Sequence, residues 1–362
     1  MTRTGRITAV AGVILAVGLV AWSFRVASTA GLFTDVTPRF AGTCATVHGI
    51  VGAEDIAVDR KSGLAFLSAT DRRAPKDHPN PQDGLYTFEP AHPELGVTKL
   101  KGTPRDFHPH GIGLWRAADG TLTLMAVNHR SDGSSTVDVF AVKETADADG
   151  TISAALSETA SVQSSLLVRP NDVAPTGPDS FYVTNSHTST TAFGRFLETW
   201  MLFPRANVIY YDGQIPRIAA NGLRFANGVA LSPDGSKLYV AESLGRDLVT
   251  YERQPITGAL SEKSRFAISA GLDNIDVDAR GNLWVAGHPK LFDFLAYQND
   301  LAKPSPSEIF EVNVANGLPV AAHAVFTDLG GRIGAASVGV RTDGRLLIGS
   351  VFDPKFLDCT MR

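Results

Sequence analysis

The chain has 362 residues, 44% of them hydrophobic, with 34 glycines and 20 prolines, enough apolar content for a large core and rich in the turn formers of a many-stranded β protein. Its 33 basic and 37 acidic residues give a formal net charge of -4, and no Lys/Arg run is long enough to make a nucleic-acid footprint. No nucleic-acid partner held by bulk charge is therefore expected.

Arg3 and Arg6 precede an uninterrupted apolar run over residues 7–24, and no acidic residue occurs before Asp35. At about eighteen residues the run is short for a bilayer-spanning helix and long for a signal-peptide core. Basic residues on its amino side keep that end in the cytoplasm and send the remainder of the chain to the periplasmic or extracellular face. Residues 1–30 read as a hydrophobic anchor or signal segment and 31–362 as one catalytic domain. Arg25 directly after the run favours a retained membrane anchor over cleavage in the small-residue stretch 27–30.

The two cysteines, Cys44 and Cys359, bracket a repeated pattern. A ring-shaped fold brings its chain ends together, so the two are expected to bond across the closure in an exported compartment; the alternative is a pair of unrelated buried thiols.

The pattern itself is a polar pair, an alternating apolar strand, a turn and a second apolar strand, a hairpin signal. It is clearest as FANGVALSPDGSKLYVAES at 225–243. It also occurs as AEDIAVDRKSGLAFLSA at 53–69, PHGIGLWRAADGTLTLMAV at 109–127, PNDVAPTGPDSFYVTN at 170–185, LDNIDVDARGNLWVAGH at 272–288 and, more loosely, AASVGVRTDGRLLIGS at 335–350. A spacing of roughly fifty to sixty residues leaves room for one four-stranded sheet per copy. The expectation is an all-β, six-bladed β-propeller with one or two short accessory helices. One such helix is predicted within residues 190–205, TTAFGRFLETWMLFPR, where the apolar spacing is helical. It packs on the propeller surface, lies at a membrane interface or roofs the site.

If each inner strand starts at one height beside the axis, its polar pair converges there with the others. Glu54, Asn171, Asn227, Asp273 and Asn274 then offer only hard oxygen donors and two negative charges, a set suited to calcium and not to zinc. Asp55 and Asp172, next door, face the other way along the wall and could hold a second ion. Strand-start Asn and Asp residues that merely form turns are the plain alternative. His110 shares the register and His129 ends the same copy's second strand, so these two are the candidates for proton transfer. His187 and His288 end the second strands of the third and fifth copies. No Gly-x-Ser-x-Gly elbow and no Gly-x-x-x-x-Gly-Lys loop occurs.

The segments GAEDIAVD, FHPHGIG, AVNHRSDGSSTVDVF, RPNDVAPTGPDSFYVTN, RFANGVALSPDG, LDNIDVD and LWVAGHP resemble the serum paraoxonase and arylesterase family, calcium-dependent six-bladed propeller lactonases. The resemblance covers nearly the whole chain after the anchor. It implies a catalytic calcium on Glu54, Asn171, Asn227, Asp273 and Asn274, and a structural calcium on Asp55, Asp172 and the backbone carbonyl of Ile112. It also implies a His110–His129 dyad and a Cys44–Cys359 disulfide, and the substrate pocket is expected to include Phe225, His288 and His187. This chain has Ser186 where the animal enzymes carry an acid before the residue matching His187, which weakens a proton route through His288. The loop after Ser68, ATDRRAPKDHPNPQD, departs from the family pattern at the pocket mouth.

The function so implied is calcium-dependent hydrolysis of lactones and aryl esters by an exported, membrane-anchored enzyme. Two alternatives stand beside it: a calcium-stabilised propeller that only binds a partner, and a metal-independent enzyme of the strictosidine-synthase-like kind, which the five-oxygen constellation disfavours.

Overall fold

The structure is a computed structural model in which residues 3–75 and 80–361 are described; residues 76–79, within the loop after Ser68, lie outside the described residues. The alternating copies fold into six antiparallel sheets. Blade 1 runs outward from the axis through Ala53–Val58, Ala65–Ala69, Gly84–Phe88 and Val97–Lys99, and blade 2 through Pro109–Arg116, Leu122–His129, Ser135–Ala146 and Ile152–Gln163. Blades 3 and 4 begin with Pro170–Pro175 and Ala226–Leu231, blades 5 and 6 with Gly271–Val277 and Ala336–Thr342. Each of these innermost strands touches that of the next blade, and the sixth touches the first, so the ring closes.

Closure is made by the chain's beginning. Gly42–His48 forms the outermost strand of blade 6, antiparallel to Lys355–Met361 near the carboxyl end, and Cys44 lies directly opposite Cys359 in that register. The two are joined by a disulfide. Local turns agree with the residues that signalled them. In the Pro-Asp-Gly turn of blade 4, Gly235 takes φ +67, its amide donates to the Ser232 carbonyl at 2.8 Å, and Asp234 Oδ1 accepts from the Ser236 amide at 3.0 Å. Aspartate bonding its own turn while glycine supplies positive φ is the usual division of labour.

The core is divided among the interfaces between blades. Ile56, Val58 and Leu67 of blade 1 pack against Val338, Val340 and Phe356 of blade 6, and Tyr182 and Val208 of blade 3 against Val229 and Val240 of blade 4. Burying such side chains contributes roughly 1.5–3 kcal/mol each, so every blade depends on both neighbours.

Three α-helices accompany the sheets among the described residues: α1 (Arg3–Thr29), which precedes them, and α2 (Ala192–Trp200) and α3 (Leu291–Asn299), which interrupt them. Thr191 caps α2, its Oγ1 accepting from the Gly194 amide. α2 and α3 join the second strand to the third in blades 3 and 5. Because neighbouring strands are antiparallel, both helices lie at the end of the channel where the innermost strands begin. The foot of α1 docks there too: Trp22 Nε1 donates to the Trp200 carbonyl at 3.0 Å, the Leu291 amide to the Ala30 carbonyl at 3.0 Å, and Arg246 Nη1 to the Thr29 carbonyl at 2.9 Å. Val10–Thr29 is long and apolar enough to cross a membrane and is unburied.

Candidate functional site

Every innermost strand slips register near its start, between Ala53 and Asp55, Pro109 and Ile112, Pro170 and Val173, Ala226 and Val229, Leu272 and Ile275, and Ala336 and Val338. The candidate metal ligands and His110 occupy five of these six irregularities, and Ser337 the sixth. A regular strand sends neighbouring side chains to opposite faces, whereas a bulge turns consecutive residues toward one side. That is how the adjacent pairs Glu54–Asp55, Asn171–Asp172 and Asp273–Asn274 can all serve the channel. Gly111 and Gly228 sit in two of the bulges because the next blade's backbone passes there: a Cβ on Gly228 would lie 2.6 Å from the Asp273 carbonyl oxygen.

Glu54, Asn171, Asn227, Asp273 and Asn274 are all buried. Glu54 Oε2 and the Oδ1 atoms of Asn171, Asn227 and Asn274 accept no hydrogen bond, although a buried polar oxygen left unpaired costs about 1–3 kcal/mol. Two of the three amides are fixed: Asn227 Nδ2 donates to Ser243 Oγ at 3.0 Å, and Asn274 Nδ2 to Glu54 Oε1 at 3.1 Å. Ser337, the counterpart in blade 6, has its hydroxyl on the Glu54 carbonyl at 2.5 Å. Burial works against the Glu54 charge, but His110, Arg72 and the Asn274 amide hold its carboxyl below the usual range. Burial pushes Asp273 up, with His288 opposing. Four acceptors without donors, from four blades, fit a hard cation and not a protonated network. Among the described residues no three His, Cys, Asp or Glu side chains gather as a transition-metal site needs.

Asp55 and Asp172 form a deeper tier. Asp55 Oδ2 accepts from the Ile112 amide of the next blade and Asp172 Oδ2 from that of Val229, both at 2.7 Å. Burial raises both carboxyls well above the usual range, reinforced at Asp55 by Glu54 and at Asp172 by Asp55. A pair so raised is suited to a second cation.

The histidines divide. His110 Nδ1 lies 2.9 Å from His129 Nε2, His129 Nδ1 3.1 Å from Ser135 Oγ, and His110 Nε2 3.3 Å from Glu54 Oε1. His288 Nε2 is 2.8 Å from Asp273 Oδ2, with its ring against Phe294. His187 stands behind the wall: its Nε2 lies 2.9 Å from Thr199 Oγ1, its ring edge meets Phe225, and burial, with Arg169 and Arg195, lowers its pKa to about 4.

The site opens into one cavity of about 590 Å³, whose wall includes Glu54, His110, His129, Asn171, Asn227, Asp273, His288 and Phe225, together with Trp200 at the end of α2, Leu202 after it, Phe294 of α3, and Thr29 of α1. Phe225 takes φ +58 just before its strand, a conformation uncommon for a bulky residue and often found at functional sites. Sequence reasoning missed Ser243, Ser337, Arg72 and α3. Ser337 repeats the register of the candidate oxygen donors and Ser243 that of His129, and both could have been found that way; α3, as long as α2, lacks its one-sided apolar pattern and does not stand out. The loop after Ser68 shapes the mouth, where Arg73 stacks on Tyr297 and Phe352 and Arg72 Nη2 lies 3.9 Å from Glu54 Oε2.

The family model described as Arylesterase matches residues 84–361. Serum paraoxonase/arylesterase 1 of Rattus norvegicus is 32% identical over 338 residues, 88% of this chain and 89% of the relative. The Homo sapiens protein of the same name is 31% identical over 90% and 91%, and Homo sapiens serum paraoxonase/arylesterase 2 is 29% identical over 85% and 86%. Among solved structures, a luciferin-regenerating enzyme superposes with a TM-score of 0.53 at 14% identity, covering 89% of this chain and 95% of that one. A structure titled a putative gluconolactonase gives 0.51 at 15%, covering 91% and 94%; these two bear on the fold alone.

Proposed function

The chain belongs to the arylesterase family, and from that membership we propose that it is a calcium-dependent hydrolase of lactones and aryl esters, exported and held at a membrane by α1. The observation that carries the reading is the set of buried oxygens on Glu54, Asn171, Asn227 and Asn274 that no donor satisfies. With Asp273 they would hold one calcium ion, and Asp55 and Asp172, with the backbone of Ile112, a second. The bound ion supplies Lewis-acid polarisation of the carbonyl and stabilises developing negative charge.

The chain's own residues supply proton transfer, orientation and a dry wall. With Nδ1–H of His110 donating to His129 Nε2, and Nδ1–H of His129 donating to Ser135 Oγ, His110 Nε2 carries no proton; the Glu54 carboxylate it faces at 3.3 Å would be drawn to the cation, which leaves this nitrogen as the acceptor. It takes a proton from the attacking water, and His129 steadies the imidazolium that forms. Asp273 holds His288 in place, while Phe225, Phe294 and Leu202 shield the reacting carbonyl and offer an apolar surface to an aryl or acyl group. Phe193, Phe196 and Phe203, around α2, are exposed on the same end as the unburied helix α1. A lipophilic substrate therefore meets the cavity close to the bilayer. The Cys44–Cys359 bond accords with an oxidising compartment outside the cytoplasm.

The test is hydrolysis of phenyl acetate and of a simple aromatic lactone by the full chain in detergent, with H110Q and H129Q compared at saturating calcium. General-base loss predicts a fall in kcat of about 10²–10⁴ for H110Q and a smaller fall for H129Q. Wild-type rates in H110Q would assign the proton elsewhere. If the calcium-loaded wild type cleaves neither substrate, the partner-binding propeller becomes the better reading.

A further inference from the structure

One cationic side chain in the cavity is committed neither to the metal site nor to the histidine pair. Arg169 lies two residues before Asn171 at the entrance to blade 3 and, like Asn171, lines the cavity. Its backbone is pinned, the amide donating to Asn185 Oδ1 at 3.1 Å and the carbonyl accepting from the Ser186 amide at 3.0 Å. Its guanidinium makes no hydrogen bond or ion pair with the described residues. Glu198, the acid on the adjoining α2, accepts instead from the Thr188 amide. Arg195 adds like charge nearby, and Arg169 is itself exposed to solvent. In the proposed metal site Glu54 and Asp273 together balance one divalent ion, so among the described residues no acid is paired with Arg169.

We propose that this cavity selects esters and lactones that carry a carboxylate on the side remote from the scissile carbonyl, with Arg169 as the residue that binds it. The inference rests on the hydrolase reading and names its substrate class. A guanidinium presents a planar fork matched to a carboxylate, and two residues of extended chain separate the Cα atoms of Arg169 and Asn171 by roughly 7 Å, with both residues on the cavity wall. The benzene ring of a para-substituted aryl ester spans a comparable distance, and Phe225, Leu202 and Val168 of the same wall would cover its faces.

The test compares 4-carboxyphenyl acetate with phenyl acetate for the calcium-loaded full chain and for R169A and R169K. The wild type is expected to favour the anionic ester in kcat/KM. R169A is expected to lower the ratio of anionic to neutral kcat/KM at least tenfold, about 1.4 kcal/mol, through KM, with R169K recovering part of it. An R169A ratio within twofold of wild type overturns the proposal. Calorimetric binding of 4-hydroxybenzoate against the uncharged 4-hydroxybenzamide reads the same contact without turnover. Preference for the acid that R169A abolishes supports Arg169 even if neither ester is cleaved, in which case only the hydrolase reading falls. Equal binding of acid and amide overturns the assignment.

Discussion

Replacing Cys44 and Cys359 together by alanine tests whether the ring is held shut by its covalent link or by its strand ladder. The two are 315 residues apart, so the link restricts nearly the whole unfolded chain, and the chain-entropy relation puts the effect at roughly 5–6 kcal/mol. That is a ceiling, and losses for native disulfides run about 2–5 kcal/mol. Against a typical total of about 5–15 kcal/mol, this is a large share. The variant keeps the seven-residue pairing of Gly42–His48 with Lys355–Met361. Guanidinium unfolding in calcium, monitored by the fluorescence of the fully buried Trp284, gives the midpoint and slope. The expected result is a lower midpoint and a stability loss of about 2–5 kcal/mol. A loss under about 1 kcal/mol would refute the entropic argument and assign closure to the ladder and the interface between blades 6 and 1.

Other expectations rest on single contacts. Gly228→Ala forces a Cβ onto the Asp273 carbonyl and should cost about 1–3 kcal/mol with weakened metal affinity; thermal unfolding with and without chelator separates the two effects. His187 is held neutral when folded, at about 4 against 6.5 unfolded. The unfolded state therefore binds the extra proton first, and stability is lost as pH falls from 6.5 toward 4, by at most about 3 kcal/mol. H187Q should flatten that part of the wild-type stability profile; an unchanged slope would place the titration in another group. Trp22→Ala removes the hydrogen bond to the Trp200 carbonyl and should loosen α1 from α2, seen as faster proteolysis in the segment before Arg39 at unchanged global stability.

Much of the architecture was legible because propeller turns announce themselves. The Pro-Asp-Gly at 233–235 and its counterparts are local signals, and the polar pair before each apolar strand marks the inner edge. The convergence of Glu54, Asn171, Asn227 and Asp273 could be read from register alone. Their exact placement could not, because it depends on the bulges. Whether Asn274 points with Asp273 or against it is settled by contacts between blades 220 residues apart, as in its side-chain bonds to the carbonyl and carboxylate of Glu54. Arg72 and Arg169 were equally hidden. An arginine in a loop reads as solvated surface until the fold shows which cavity it enters and which acids are already engaged.

The central claim is that the unsatisfied oxygens at the channel mouth hold the calcium on which hydrolysis depends. Equilibrium dialysis with labelled calcium, run beside phenyl acetate hydrolysis on the wild type and on N171A/N227A, tests it most directly. The account predicts two bound ions in the wild type and one in the variant, which stays folded but loses hydrolysis, while chelation abolishes wild-type activity and calcium restores it. A variant that binds as much calcium as wild type, or a chelated wild type that remains active, would contradict it.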